Sequence, residues 1–409
     1  MNKLIAIFGL FFLIHFFSSC GKIRSIATLK KRGQAQLINS PENDTLIFRL
    51  KGGHIVSNIN LNNKSTSFIF DTGINTSIDK SYAIKNGLEI IRKNNGKDKR
   101  FSESVKTTDY KIAMTKLKKL NHTNVLTIPK KMAQCTNSYG FIGSDIFNSI
   151  GSIGLLPRAQ KIVLNPLISK KLRKTSLIKA LFQHNPFVRL VYNNKTYKAL
   201  WDWGNANDFV VFYNPESRKE LDDLFRYFQN SDYRIDTFLS SNSLIKPIQG
   251  AIFSNKLSTI YKVSLEKLSF ENNLNFNINY DISFIPNDKK SGLEFVIGYG
   301  VIKQFNSFLD YKNETLSLEL VEKVPQVKKI IPKIIISSTT NKITVLHSSQ
   351  NNSGLDLKDS VLCIGGSEIN EIKGDDICTM GKKIQDALKM TKSITIKKAN
   401  GSFKELMLR

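Results

Sequence analysis

Two aspartates close apolar runs in the same local setting. Asp71 ends "SFIFDTG", residues 67–73, and Asp202 ends "YKALWDWG", residues 197–204, so each carboxylate is followed by one residue and a glycine. Two carboxyl groups held side by side cannot both ionise, so one keeps a proton while the other stays charged. The charged member can then act as general base on a water, and the protonated member can polarise a carbonyl. Such chemistry needs neither a covalent nucleophile nor a metal. An isolated Asp at the end of a strand is more often a turn former or a helix cap, so a pair has to be argued from the elements that carry it.

Those elements are stated twice. Residues 56–73, "VSNINLNNKSTSFIFDTG", align without a gap on residues 187–204, "FVRLVYNNKTYKALWDWG", at a constant offset of 131. Asn62-Asn63-Lys64 falls on Asn193-Asn194-Lys195, and Asp71-Thr72-Gly73 on Asp202-Trp203-Gly204. Each segment reads as a strand, an Asn-Asn turn and a second strand ending in aspartate. After Asp71, the run Thr76-Ser77-Ile78 suggests the start of a helix. A second pair, "FIGSDIFNSIGSIGLL" from Phe141 and "VIGYGVIKQFNSFLDY" from Val296, aligns at an offset of 155 and brings Ile142-Gly143 onto Ile297-Gly298. The larger offset places a longer insertion in the second copy. Asp145, Asp208 and Asp310 read as cap or turn residues, Asp310 lying in "LDYKNETLSLEL", a strand, turn and strand.

The apolar strand leading to Asp-Thr-Gly, followed later by Ile-Gly and a short helix, resembles the pepsin and retropepsin superfamily of aspartic proteases. The resemblance covers residues 45–322 and implies a mainly β fold of two acid-protease-like barrel lobes, residues 45–180 and 181–322. It implies a catalytic pair, Asp71 and Asp202, with Thr72, Gly73, Trp203 and Gly204 in the active-site loops, and an extended peptide or protein as substrate. In that family the glycine lets the chain turn tightly behind each carboxylate, and the intervening hydroxyl bonds across to the other lobe. Trp203 has no hydroxyl, so one cross-lobe bond lacks a counterpart, and its indole stands where it can crowd the pair. Ile74 and Asn205 also depart from the small residue usual after the motif. The stretch from Asn94 to Tyr110 holds a single glycine, Gly96, and offers no glycine-rich hairpin to close over a cleft. Two other readings remain open: a peptide-binding protein without cleavage, for which Trp203 argues, and two chains pairing through the first lobe. The internal repeat makes the second of these unnecessary.

Composition restricts the alternatives. The chain has 409 residues, 41% of them hydrophobic, enough to bury a sizeable core in two or three domains. Its net charge of +26 comes from lysines scattered along the chain, with short runs at Lys30 to Arg32, Lys116 to Lys119 and Lys170 to Lys174. No basic stripe interleaved with aromatics accompanies them, so no nucleic-acid partner is expected. His54, His122, His184 and His347 form no metal-ligand array, and neither a metal nor a cofactor is expected.

The N-terminus reads as an export signal. An apolar run from Leu4 to Phe17 follows Lys3 and closes on Ser18-Ser19 before Cys20. The ending resembles a bacterial lipobox, which implies a signal peptide over 1–19, a lipid on Cys20, a lipidated linker over 20–44, and a membrane-tethered chain in the cell envelope. Cys135, Cys363 and Cys378 are too few and too widely spaced for a disulfide framework; Cys363 and Cys378 could pair or remain free thiols.

Beyond Val321 the composition changes to a basic stretch with two prolines, "VEKVPQVKKIIPKIII", which reads as a linker. "SGLDLKDSVLCIGGSEINEI" then precedes a helical candidate over 375–390 and a hairpin about Asn400-Gly401. This resembles a PDZ domain over residues 330–409, a small α/β unit whose exposed strand edge would take a C-terminal peptide by strand addition. A packing module that steadies the second lobe is the other reading of the same residues.

Overall fold

A computed structural model describes residues 35–92, 103–105, 108–119, 123–128, 136–180, 183–216, 219–230, 235–241, 257–287 and 292–321, with shorter stretches between 335 and 407. The signal sequence, Cys20, the Pro-containing linker and most of the Asn94–Tyr110 stretch lie outside the described residues, as do the Ser353–Asp359 run and most of the helical candidate. The chain is mainly β, its sheets curled into half-barrels. Among the described residues no helix is long and apolar enough to cross a membrane.

Around Asp71 the hairpin forms as its sequence dictates. Strand His54–Leu61 turns through Asn62 and Asn63, at φ 48° and 64°, into strand Lys64–Asp71. Asparagine tolerates this left-handed backbone, which matches the twist of a two-residue hairpin. The alternation of "KSTSFIFD" ends in Phe68, Ile69 and Phe70, all fully buried, so the strand enters the core as it reaches Asp71. Strand Gly140–Gly143 then pairs in parallel with it, Ile142 opposite Phe70.

The same pairing occurs around Asp202. Strands Gln183–Tyr192 and Lys195–Trp201 turn through Asn193 and Asn194, at φ 50° and 55°, and strand Glu294–Ile297 pairs in parallel with the second, Ile297 opposite Trp201. Both Ile-Gly steps open short helices, Ser144–Ile150 and Tyr299–Ile302. A side chain at Gly143 would strike the Ile74 carbonyl, and one at Gly298 the Asn207 carbonyl, so both aspartate loops rest directly on backbone.

Two expectations are corrected. Thr76-Ser77-Ile78 does not begin a helix: Ser77–Asp79 is a strand, and the helix runs over Lys80–Lys85. Asp79 sets that start, its carboxylate accepting the Ser81 and Tyr82 N–H groups at 2.9 and 3.1 Å. Asp145 is no cap or turn residue. Fully buried on its helix, it accepts both the Thr76 N–H and the Thr76 hydroxyl at 2.7 Å, and that hydroxyl in turn accepts the Gly143 N–H. Across the molecule the acid changes places: Gly300 stands on the second helix, and the Asp208 carboxylate comes from the loop to lie against it. Asp310 does shape its turn, accepting the Lys312 and Asn313 N–H groups.

A six-stranded sheet ties the two repeats together in a way the repeat pattern does not reveal. Its order is Arg173–Ser176, Thr315–Leu320, Phe305–Asp310, Ser152–Leu156, Lys161–Leu164 and Asp44–Ile47, with Ile153 opposite Leu309. Further along, strand Ile235–Ser241 pairs with Lys342–Ser349, so the C-terminal strands continue the sheet that carries Asp202. There the hairpin about Asn400-Gly401 forms as expected, between Ser393–Lys397 and Phe403–Met407. Cys363 carries a free thiol; Cys378 and Cys135 lie outside the described residues.

Candidate active site

Asp71 and Asp202 meet where the two strand ends face each other. Both are nearly buried, at 7% and 8% exposure. Their carboxyl groups are hydrogen-bonded to each other. Each is also held by its own loop: Asp71 Oδ1 accepts the Gly73 N–H at 2.7 Å, and Asp202 Oδ1 accepts the Gly204 N–H at 2.9 Å.

The glycines explain how the two carboxyls come so close. Each carboxylate packs on the glycine of the opposite loop, and a Cβ at Gly73 would stand 2.9 Å from Asp202 Cγ. At Gly204 it would run into the Asp71 carboxyl itself. Only hydrogen fits at either place.

Burial pushes both pKa values up, because a charged carboxylate loses hydration it cannot replace. The negative charge of Asp71 pushes Asp202 up further, whereas Asp71 is pulled back by the hydrogen bond from Asp202 and by the Gly73 N–H. Both shifts run upward, so the pair keeps a proton at a pH where an exposed carboxyl has lost its own.

Thr72 bridges the loops. Its hydroxyl donates to the Trp201 carbonyl at 2.6 Å and accepts the Trp203 N–H at 3.0 Å. Trp203 makes no matching bond, as its residue type requires. Its fully buried indole packs on Phe147, with ring centroids 5.7 Å apart, and Phe147 stacks on Phe70 at 6.1 Å. The indole leaves the two carboxyls in contact. Its Nε1–H has no hydrogen-bond partner, a cost that the packing has to offset.

Two residues around the pair escaped the sequence reading. His54 Nδ1 lies 3.0 Å from the Gly204 carbonyl, and Asn185 Nδ2 donates to the Gly73 carbonyl at 3.0 Å. His54 falls on Asn185, and Gly73 on Gly204, at the repeat offset of 131, so the two bonds are counterparts. Carrying the alignment two residues upstream of Val56 would have found them, although a histidine opposite an asparagine leaves no identity to notice. Among the described residues no three His, Cys, Asp or Glu side chains gather as a metal site would require. No protein-family model matches the chain, and no curated protein matches it.

Proposed function

We propose that the chain is a single-chain aspartic endopeptidase of two pepsin-like lobes, cleaving extended peptides with Asp71 and Asp202. The observation that carries this reading is the hydrogen-bonded carboxyl pair in which each member lies on the other loop's glycine. That arrangement has a local two-fold relation and one proton for two carboxyls, which is what water activation on a peptide requires.

In this mechanism Asp71 acts as the charged member and takes a proton from a water bound to the pair, and the water oxygen attacks the peptide carbonyl carbon. Asp202 delivers its proton to the carbonyl oxygen as the tetrahedral intermediate forms. Collapse returns that proton to Asp202, breaks the C–N bond, and passes the proton held by Asp71 to the leaving nitrogen. One water is added across the bond and the pair is restored. Thr72 and Trp203 hold the loops so that both carboxyls stay aimed at one point.

The same proposal includes a lipid on Cys20 that tethers the enzyme to a membrane of the cell envelope. It also includes a PDZ-like C-terminal unit that brings substrate or partner tails to the cleft, supported by the Cys363–Ile364 and Ser367–Glu368 pairing and the terminal hairpin. A second reading, a peptide-binding protein that keeps the fold without cleaving, is favoured by Trp203 alone.

The test is cleavage of a diverse peptide mixture by the mature chain lacking its lipid anchor, from acidic to neutral pH, beside Asp71→Asn and Asp202→Asn. Cleavage lost in both variants supports the two-lobed enzyme. Loss with Asp71→Asn alone points to paired chains. A folded parent that cleaves nothing leaves the peptide-binding reading.

A further inference from the structure

The contacts behind the dyad differ chemically on its two sides. On the Asp71 side, Asn185 donates to the Gly73 carbonyl while its own carbonyl accepts the Ser144 hydroxyl at 2.9 Å. Ser144 in turn donates its N–H to Ile74. On the Asp202 side, Tyr299 stands at the place of Ser144 and donates its N–H to Asn205 at 2.7 Å. Among the described residues, His54 supplies the side-chain bond to the Gly204 carbonyl. A carbonyl oxygen only accepts, so Nδ1 must carry the hydrogen, and in the neutral ring Nε2 then bears the lone pair.

His54 is placed for this by a glycine turn. Gly52 and Gly53, at φ 57° and 83°, reverse the chain between strands Arg49–Lys51 and His54–Leu61. Gly53 sits against Ala206, where a Cβ would stand 2.7 Å from the alanine methyl, so the turn rests on the loop that follows Asp202. Asp71 is the titratable group that faces the ring, and its charge favours the imidazolium, against the burial that disfavours it. Burial has the larger effect and holds the ring neutral.

We propose that His54 is a positioning residue of the dyad: in its Nδ1–H tautomer it fixes the Gly204 carbonyl from the first lobe, as Asn185 fixes Gly73 from the second. This rests on the endopeptidase reading for its consequence in turnover, although the tautomer and its coupling to Asp71 stand apart from turnover. An amide can do the same work, as Asn185 does. An aliphatic side chain cannot.

The experiment pairs kinetics with nitrogen-15 NMR of histidine-labelled full-length mature protein, the His54 signals being identified by their loss in His54→Asn. Expected are one fixed Nδ1–H tautomer at neutral pH, and a His54 pKa that drops in Asp71→Asn, where the attracting charge is gone. His54→Ala and Asn185→Ala should each lower kcat by about 10- to 100-fold with KM little changed, the scale for a misplaced reacting group. His54→Asn should recover most of that loss. A parent that cleaves while His54→Ala matches it, or while the ring exchanges freely between tautomers, overturns the positioning role and leaves the enzyme reading intact. A parent that cleaves nothing but shows the fixed tautomer and the response to Asp71→Asn upholds the positioning and removes the enzyme. Mixed tautomers in a parent that cleaves nothing overturn both.

Discussion

Thr72 and Trp203 join the two aspartate loops through one hydroxyl, which donates to the carbonyl of Trp201 and accepts the N–H of Trp203. The partner position offers an indole in place of a second hydroxyl, and it closes its side by packing on Phe147. The interface under the dyad is thus hydrogen-bonded from one repeat and aromatic from the other. Both halves of that arrangement can be tested separately.

Thr72→Val keeps the side-chain volume and removes the hydroxyl, leaving the buried Trp203 N–H without its acceptor. Stability should fall by about 1–3 kcal/mol, the cost of an unmade buried hydrogen bond, and Thr72→Ser should recover most of it. Urea denaturation of the three proteins measures this. A valine variant as stable as the parent would show that the bridge contributes nothing.

Trp203→Ala removes the contact with Phe147 and opens a cavity beneath the loops, which should cost about 3–5 kcal/mol. Trp203→Phe keeps an aromatic ring and deletes the unpartnered Nε1–H, so its loss should be the smaller by at least about 1 kcal/mol. Thermal unfolding of both variants decides whether the indole serves as packing. Equal losses would mean that the indole's own shape or its N–H is needed.

Gly204→Ala places a methyl against the Asp71 carboxyl, while Gly73→Ala places one 2.9 Å from Asp202 Cγ. Either should separate the carboxyls and cut peptide cleavage by at least about 100-fold, the scale of a displacement near 1 Å at a reacting centre. The Gly204 variant should be the worse of the two, because its contact is the closer. Retained cleavage in Gly204→Ala would remove the packed pair from the mechanism.

What could be read in the sequence was what local pattern controls. The Asn-Asn hairpins, the apolar strands ending in aspartate and the Ile-Gly steps follow from turn chemistry and burial within a few residues, and all are present. The helix start was misplaced because Thr76 belongs to a loop fixed by Asp145, distant in sequence and hidden as a cap-like acid. The six-stranded sheet escaped notice because its register depends on strands from both repeats meeting edge to edge, as Ile153 meets Leu309. His54 escaped because its role lies in a bond to a backbone carbonyl, which no residue type announces.

The dyad's protons give the last prediction, and its sign follows from linkage. Both carboxyls bind a proton more tightly in the folded chain than an exposed carboxyl does, Asp202 most of all. Between the ordinary carboxylate range and the raised value of Asp202, the native state therefore holds more protons than the unfolded state, and the pair's contribution to stability falls as pH rises. Each unit of upward shift is worth about 1.4 kcal/mol, fully present in acid and lost once pH passes the folded value. Asp202→Asn cannot titrate, so its stability relative to the parent should climb with pH across that window. In the endopeptidase reading, activity needs one proton on the pair and should follow a bell whose limbs belong to the pair and are displaced upward from the ordinary carboxylate value, because burial raises both members. Denaturation of parent and Asp202→Asn at a series of pH values measures the stability difference directly. A difference that stays flat or shrinks as pH rises would mean that Asp202 gives up its proton as readily folded as unfolded.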